Sequence, residues 1–223
     1  MRNCRLQIAI ALLMAGPTFG CWGGASSEPA YYALSAQAGS AQRRAPALIE
    51  VRQPALPGYL DRSQLVLSKT ETRLTLSKHE RWAEPLGEMV GRILAEDLAL
   101  RLPDSTVFTE MGSITAAPHA IVEVDLRHFE PSQHAVKLVA VVGIKQPQGE
   151  AELQRYELTR SRGPPPANVE ALSSLLAELA EHVAQQLVSH AARHPNLPER
   201  VNASHEGSDT TGEPGQRQAE AAP

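Results

Sequence analysis

Histidine and acidic residues in two places have the spacing that metal or acid–base chemistry uses. His190 and His194 are four residues apart, so on a helix their imidazoles share one face and could hold a zinc ion. Pro195 follows at once and no third ligand is in view, so the pattern favours an exposed polar helix end. Glu123 and Asp125 share one face of a predicted strand, as the paired carboxylates of a hydrolase would. Their alternation with apolar residues is more typical of a solvated strand face.

A third charged stretch and the motifs of the sequence also argue against catalysis. Residues 79–81 read His-Glu-Arg, and a charged connection between a strand and a helix explains them better than catalysis does. The sequence has no G-x-S-x-G nucleophile elbow, no phosphate-binding P-loop and no G-x-G-x-x-G dinucleotide fingerprint. We therefore predict no catalytic residue, no cofactor and no metal site, and we do not expect an enzyme.

Cys21 is the residue for which the sequence predicts a covalent modification. Arg2 and Arg5 precede an almost wholly apolar run over residues 6–15, and Gly20 stands directly before the cysteine. This order is that of a secretory signal peptide over residues 1–20. A small residue followed by cysteine resembles the lipobox of bacterial lipoproteins, which implies that Cys21 receives a lipid and becomes the first mature residue. The alternative is ordinary secretory cleavage near Gly20, which would leave a free thiol.

The compartment and the partner classes follow from the residues around and beyond this site. Trp22 stands where enterobacterial lipoproteins retained at the inner membrane tend to have Asp, so it favours the outer membrane, with the protein facing the periplasm. Cys4 would leave with the signal peptide, so no intramolecular disulfide is expected. The formal net charge is -4 and aromatic residues make up only 4%, which argues against a nucleic-acid partner.

The remaining chain predicts one α/β domain between a tether and a tail. Residues 21–46 are rich in small residues and fit a lipid-anchored tether, residues 47–192 carry regular apolar patterns, and residues 193–223 are polar enough to be disordered. Strands are predicted at 48–51, 65–67, 74–76, 107–108, 122–126, 136–144 and 153–160, with a further edge strand at 31–34. We expect a hairpin from the second and third of these strands, an antiparallel meander from the last three, and a single mixed sheet of about seven strands.

Two helices complete the predicted fold. Apolar residues recur at helical spacing over residues 82–102, where Trp82 opens the helix and Pro85 falls in its first turn. A second helix starts at an Asn168 cap and carries an apolar stripe to Leu187. Packed on one face of the sheet, these helices would leave its other face open to a partner.

Two segments, in order and at this spacing, carry a resemblance to a known family. Residues 56–66 (LPGYLDRSQLV) are similar to the P-x-Y-L-D-R-x-Q-L-V segment of ABC-type transport auxiliary lipoproteins, and residues 81–86 (RWAEPL) resemble their R-W-A-E-P-L helix. Residues 31–34 (YYAL), soon after the lipobox, also fit the mature N-terminus of these proteins. The resemblance is to the paraquat-inducible lipoprotein C type.

The resemblance implies a non-catalytic envelope lipoprotein with an α/β fold that forms homo-oligomers, among them rings. Such proteins act beside a membrane-spanning protein with MCE (mammalian cell entry) domains, in systems that move lipids or other hydrophobic molecules between two membranes. ATP hydrolysis would belong to a separate ABC subunit. The partners implied are therefore the membrane, through the lipid on Cys21, an MCE-domain protein and further copies of this chain.

The matching residues have structural or interface roles in this interpretation. Trp82 is expected to pack against the sheet, and Arg81 to pair with an acidic neighbour or to cap backbone carbonyls near the helix start, ahead of Pro85. Tyr59 and Leu60 lie in an apolar, charge-poor loop, which either forms a contact surface or packs over the edge of the core.

Two other classes of protein stay open on the sequence alone. A periplasmic ligand-binding lipoprotein would need a concave apolar pocket, so a filled core would weaken that hypothesis. A hydrolase would need a polar triad in a cleft, which no motif in the sequence suggests.

Overall fold

The computed structural model describes residues 28–195, which contain eight strands and two helices. The strands are β1 (Ala30–Tyr32), β2 (Leu48–Val51), β3 (Gln64–Lys69), β4 (Leu74–Trp82), β5 (Thr106–Thr109), β6 (Ala120–Pro131), β7 (Ala135–Lys145) and β8 (Glu152–Ser161). The helices are α1 (Leu86–Arg101) and α2 (Pro165–Arg193). The predicted signal peptide, Cys21 and most of the predicted disordered tail lie outside the described residues.

The first sheet has three strands in the order β1-β4-β3. β3 and β4 form the antiparallel hairpin that their apolar runs predict, and the Thr70 N–H donates to the Arg73 carbonyl oxygen at 2.9 Å in the turn. β1 lies parallel to β4 at the edge of this sheet, where the sequence predicts an edge strand. The N-terminal residues are therefore held beside the end of β4.

The second sheet has five strands in the order β5-β2-β6-β7-β8. β6, β7 and β8 form the predicted antiparallel meander, while β2 runs parallel to both β5 and β6. The α/β class is confirmed, but the strands divide between two sheets. Residues 52–63 carry the chain from β2 in the five-stranded sheet to β3 in the three-stranded sheet.

Both helices pack on one face of the five-stranded sheet. α1 contacts β2 and β5, α2 contacts β6, β7 and β8, and the helices contact each other. Their apolar stripes supply many of the largest fully buried side chains, among them Leu86, Met89, Leu94, Leu98, Leu175 and Leu176. Within residues 28–195, neither helix combines the length and the apolar content that crossing a membrane requires. Among the described residues, no helix covers the opposite face of the sheet.

The start of α2 differs from the prediction. The helix begins at Pro165 instead of after a cap at Asn168, because proline is tolerated in a first turn whose N–H groups have no helical partner. The Asn168 side chain instead accepts a hydrogen bond from the Gly163 N–H at 2.9 Å. Asn168 therefore fixes the entry to the helix from inside its first turn.

Candidate functional site

Leu60 and Trp82, two of the residues to which the sequence gives a structural or interface role, lie close together where the two sheets and α2 meet. We call this place the junction and define it by Leu60, Trp82, Leu86 and Phe129, all of which are buried. These side chains, with neighbours on β3 and α2, enclose a cavity of about 10 Å³, which is room for about one water molecule. Isolated bridges between Lys69 and Ser132 and between Ala55 and Asp125 connect the surrounding strands. The junction is therefore a filled apolar core.

Tyr59 lies at the rim of the junction and holds a buried carboxylate. Its hydroxyl donates to Glu130 Oε2 at 3.0 Å, and burial together with this carboxylate raises the pKa of Tyr59 above its usual range. Glu130 also accepts the Phe129 N–H at 2.7 Å and lies 2.8 Å from His128 Nδ1. The Lys69 ammonium lies 3.8 Å from the same carboxylate and 4.7 Å from the centre of the Tyr59 ring. Since these contacts occupy both oxygens of Glu130, the cluster ties the loop after β2 to β6.

Arg81 binds backbone carbonyls, which is one of the two roles that the sequence leaves open. Its guanidinium donates to the carbonyl oxygens of Glu80 at 3.0 Å, Lys78 at 3.1 Å and Ser77 at 3.3 Å. These carbonyls belong to β4, where the pairing with β3 slips between Leu76 and Arg81. Arg81 therefore holds an irregular part of its own strand and does not cap α1.

Trp82 ends β4, so the expectation that it opens the helix is wrong. Its N–H donates to the Ser63 carbonyl oxygen at 2.7 Å, and it pairs in parallel with Tyr32 of β1. Pro85 is the N-cap residue of α1 and has extended backbone angles. Its carbonyl oxygen accepts the Met89 N–H at 3.0 Å, so the helix starts one residue after it. The side chain of Trp82 is only 7% exposed, in agreement with the expected packing role.

A buried ion pair on α1 is a feature that our sequence reasoning missed. Asp97 and Arg101 lie four residues apart on the same side of the helix as the apolar stripe, and that spacing was the available signal. Burial raises the pKa of Asp97 to about 6, although Oδ1 accepts the Gln37 N–H at 2.7 Å. Arg101 donates to the Gln37 carbonyl oxygen at 2.8 Å and to Glu181 Oε2 at 3.1 Å. The pair thus joins both helices to the chain that precedes β2.

That preceding chain is packed against the helices over residues 33–46, which the sequence assigns to the tether. Leu34 is buried in the core, and the Gln42 N–H donates to the Arg101 carbonyl oxygen at 2.6 Å. At Gly39 an added Cβ would lie 2.5 Å from atoms of the Arg101 guanidinium, so a larger residue there would displace this hydrogen-bonded group. We call residues 33–46 the strap, because they cross α1 and α2 and are hydrogen-bonded to both.

The end of α2 is not the exposed polar helix end that the sequence predicts for its histidines. His190 is buried, and its Nδ1 lies 3.2 Å from Glu152 Oε1 at the start of β8. The His194 ring lies 4.6 Å from the His190 ring, between centroids. Arg193 forms an ion pair with the other oxygen of Glu152. A third potential ligand, 38 residues away in sequence, therefore stands beside the two histidines.

The helix-free face of the five-stranded sheet carries charges of both signs. Glu123 pairs with Arg52 at 3.0 Å and with Lys145 at 2.7 Å, so this face is solvated at the position where the sequence suggests paired carboxylates. Asp125 pairs with Arg127 at 3.4 Å instead of with a second acid. Leu153 is 71% exposed on the same face. We call this surface the open face.

Comparison with known proteins identifies the family of the chain and solved structures that resemble it. The family model described as ABC-type transport auxiliary lipoprotein component matches residues 32–184, which is more than half of the chain. No curated protein matches the chain in sequence.

Solved structures resemble the chain at low sequence identity. An uncharacterized protein has 19% identity and a TM-score of 0.61 over 72% of this chain and 99% of its own. Protein XCC0632 from Xanthomonas campestris, of the DUF330 family, has 13% identity and the same TM-score over 75% and 100%. A PelC dodecamer from Paraburkholderia phytofirmans has 13% identity and a TM-score of 0.37 over 68% and 94%.

Proposed function

Because this chain belongs to the ABC-type transport auxiliary lipoprotein family, we propose that it is a non-catalytic component of an ABC/MCE-type system that moves lipids or other hydrophobic molecules between membranes. It would act by binding proteins, with an MCE-domain protein as its main partner. The family implies a location in the cell envelope. The family match over residues 32–184 is the observation that carries the proposal, since it spans the fold from β1 into α2.

The junction supports a binding protein more than a carrier of a small ligand, since the larger depressions of the described residues, of about 290–440 Å³, are open to solvent. The junction cavity of about 10 Å³ is far below the roughly 300–1,000 Å³ of a ligand pocket. The polar groups around it, Tyr59 and Glu130, are occupied by contacts within the domain. A hydrophobic cargo would find no room at this site, so the ligand-binding alternative loses its main structural requirement there.

The open face is the surface that we propose for the MCE-domain partner. It combines exposed Leu153 with paired charges at Arg52, Glu123 and Lys145. Interfaces commonly join an apolar contact to a polar rim that fixes orientation. The neighbouring edge strand β8 has no partner on its outer side among the described strands, and it is the edge that we propose for contact with a second copy of the chain.

The anchor would hold this domain close to the membrane. We propose that Cys21, which lies outside the described residues, carries the lipid, and that the protein faces the periplasm from the outer membrane. Eight residues lie between Cys21 and Ala30 at the start of β1, so nine steps of the chain join the two. Even fully extended they span at most about 30 Å, so the start of β1 would stay within that distance of the lipid surface.

The test is capture of the full-length chain from solubilised envelopes, followed by identification of bound proteins and extraction of bound lipid. We expect an MCE-domain protein to co-purify. Leu153→Asp should weaken the capture, whereas Leu100→Asp, at an exposed site on α1, should leave it unchanged. Capture without any MCE-domain protein but with stoichiometric lipid would overturn the proposal in favour of a ligand-binding lipoprotein. Equal capture by both variants would exclude the open face as the contact.

A further inference from the structure

The end of α2 and the start of β8 bring together three side chains of the types that bind transition metals. Glu152 is the first residue of β8, His190 lies in the last turns of α2, and His194 follows the helix directly. One donor atom from each of the three lies within 4.8 Å of the others. His190 Nδ1 and Glu152 Oε1 are 3.2 Å apart, so the carboxylate of Glu152 lies against the imidazole of His190.

A second observation shows that the protein alone does not satisfy this group. His190 Nε2 is buried and has no hydrogen-bond partner within residues 28–195, and the side chain is only 3% exposed. Buried polar atoms are almost always paired, so an unpaired one calls for an explanation.

The charge of Glu152 is at present balanced by a movable cation. Arg193 forms an ion pair with Glu152 Oε2, the carboxylate oxygen that His190 does not contact. Arg193 is 51% exposed, and ion pairs of exposed side chains contribute little to stability. An incoming metal ion could therefore displace Arg193 at small cost.

We propose that Glu152, His190 and His194 form a binding site for a divalent transition-metal ion of the Zn²⁺ class. Two imidazole nitrogens and one carboxylate oxygen are a ligand set that zinc accepts, with water in the remaining position. Arg193 covers the carboxylate when no ion is bound and moves into solvent when one binds. The ion would then link the end of α2 to the first residue of β8.

The test uses the full-length chain in detergent, purified without a polyhistidine tag and titrated with Zn²⁺ against a chromophoric chelator. We expect one ion per chain. His194→Gln, beyond the helix end, should weaken binding by at least about tenfold, and His190→Gln should do the same if circular dichroism shows it folded. Arg193→Gln should bind more tightly than the wild type because the competing cation is gone.

The control is His182→Gln, since His182 stacks on Tyr156 outside the cluster and should leave Zn²⁺ affinity unchanged. Absence of binding by the wild type at micromolar Zn²⁺ would overturn the site. Binding that survives His194→Gln, or that His182→Gln abolishes, would place the ion elsewhere and overturn it as well. Equal affinity of wild type and Arg193→Gln would contradict the role given to Arg193, and with it the described geometry.

Discussion

Replacing Trp82 by alanine is the strongest test of the junction as a packing centre. The side chain is 7% exposed and lies in the core with Leu60, Leu86 and Phe129. A tryptophan buries about 150–250 Å², which at about 25 cal/mol per Å² corresponds to about 4–6 kcal/mol. Measured truncations of buried aromatic residues cost about 3–5 kcal/mol. We expect Trp82→Ala to lower the free energy of unfolding by that amount, a large share of a usual total of about 5–15 kcal/mol.

The assay is urea unfolding of the soluble chain from residue 22, followed by far-ultraviolet circular dichroism. Fluorescence is unsuitable, because Trp82 is one of only two tryptophans in the sequence. Trp82→Phe should lose clearly less stability than the alanine variant, and Leu100→Ala, at an exposed position, should stay within about 0.5 kcal/mol of the wild type. A Trp82→Ala protein with unchanged stability that no longer captures a partner would refute the packing argument and make Trp82 an interface residue.

Three further predictions concern the strap and the anchor. Burial raises the pKa of Asp97 to about 6, so the contribution of its protonated form to stability is full below about pH 4 and is lost as the pH rises through 6. The loss in the free energy of unfolding should be no more than about 3 kcal/mol. Urea unfolding across this pH range should show that Asp97→Asn removes the trend. Gly39→Ala places a Cβ against the Arg101 guanidinium and should cost about 1–3 kcal/mol in the same assay, whereas Gly58→Ala meets no atom within 4 Å and should be neutral. Fatty-acid labelling and membrane fractionation should show that Cys21→Ser loses its acyl chains and leaves the melting temperature almost unchanged; an unlabelled, soluble wild type would contradict the anchor.

The sequence patterns predict most of the elements because each reports local burial. The alternation from residue 122 to 126 and the apolar run from 136 to 144 identify two strands of the meander, and the structure has both in β6 and β7. Turn residues at 131–133 and 147–149 separate them from each other and from β8. In this region, strands that follow each other in sequence are also neighbours in the sheet, so local sequence patterns are enough to predict the structure.

The same reasoning fails where a contact is distant in sequence. Trp82 keeps helical spacing with Leu86 and Met89, and only its pairing with Tyr32 and its hydrogen bond to Ser63 show that it belongs to a strand. His190 reads as part of a polar helix end because Glu152, which covers it, is contributed by another element. In such cases a residue from a distant part of the chain decides which side of a helix or strand is buried. The composition of that helix or strand alone does not reveal this partner.

The family motif at residues 81–86 and strand β1, which leads into the strap, are connected at the edge of the three-stranded sheet. Tyr31 and Tyr32 of β1 pair in register with Arg81 and Trp82 of β4, and the Ala83 N–H donates to the Tyr32 carbonyl oxygen at 2.9 Å. Strand β1 is only three residues long, so its pairing depends on the shape of β4. Arg81 holds that shape by binding backbone carbonyls of β4, and Trp82 holds it by packing in the core. Under the proposed anchoring, any pull from the membrane reaches the domain first at this pairing. The motif then specifies the place where the anchored chain enters the fold, which explains why its residues are structural and still belong to a lipoprotein signature.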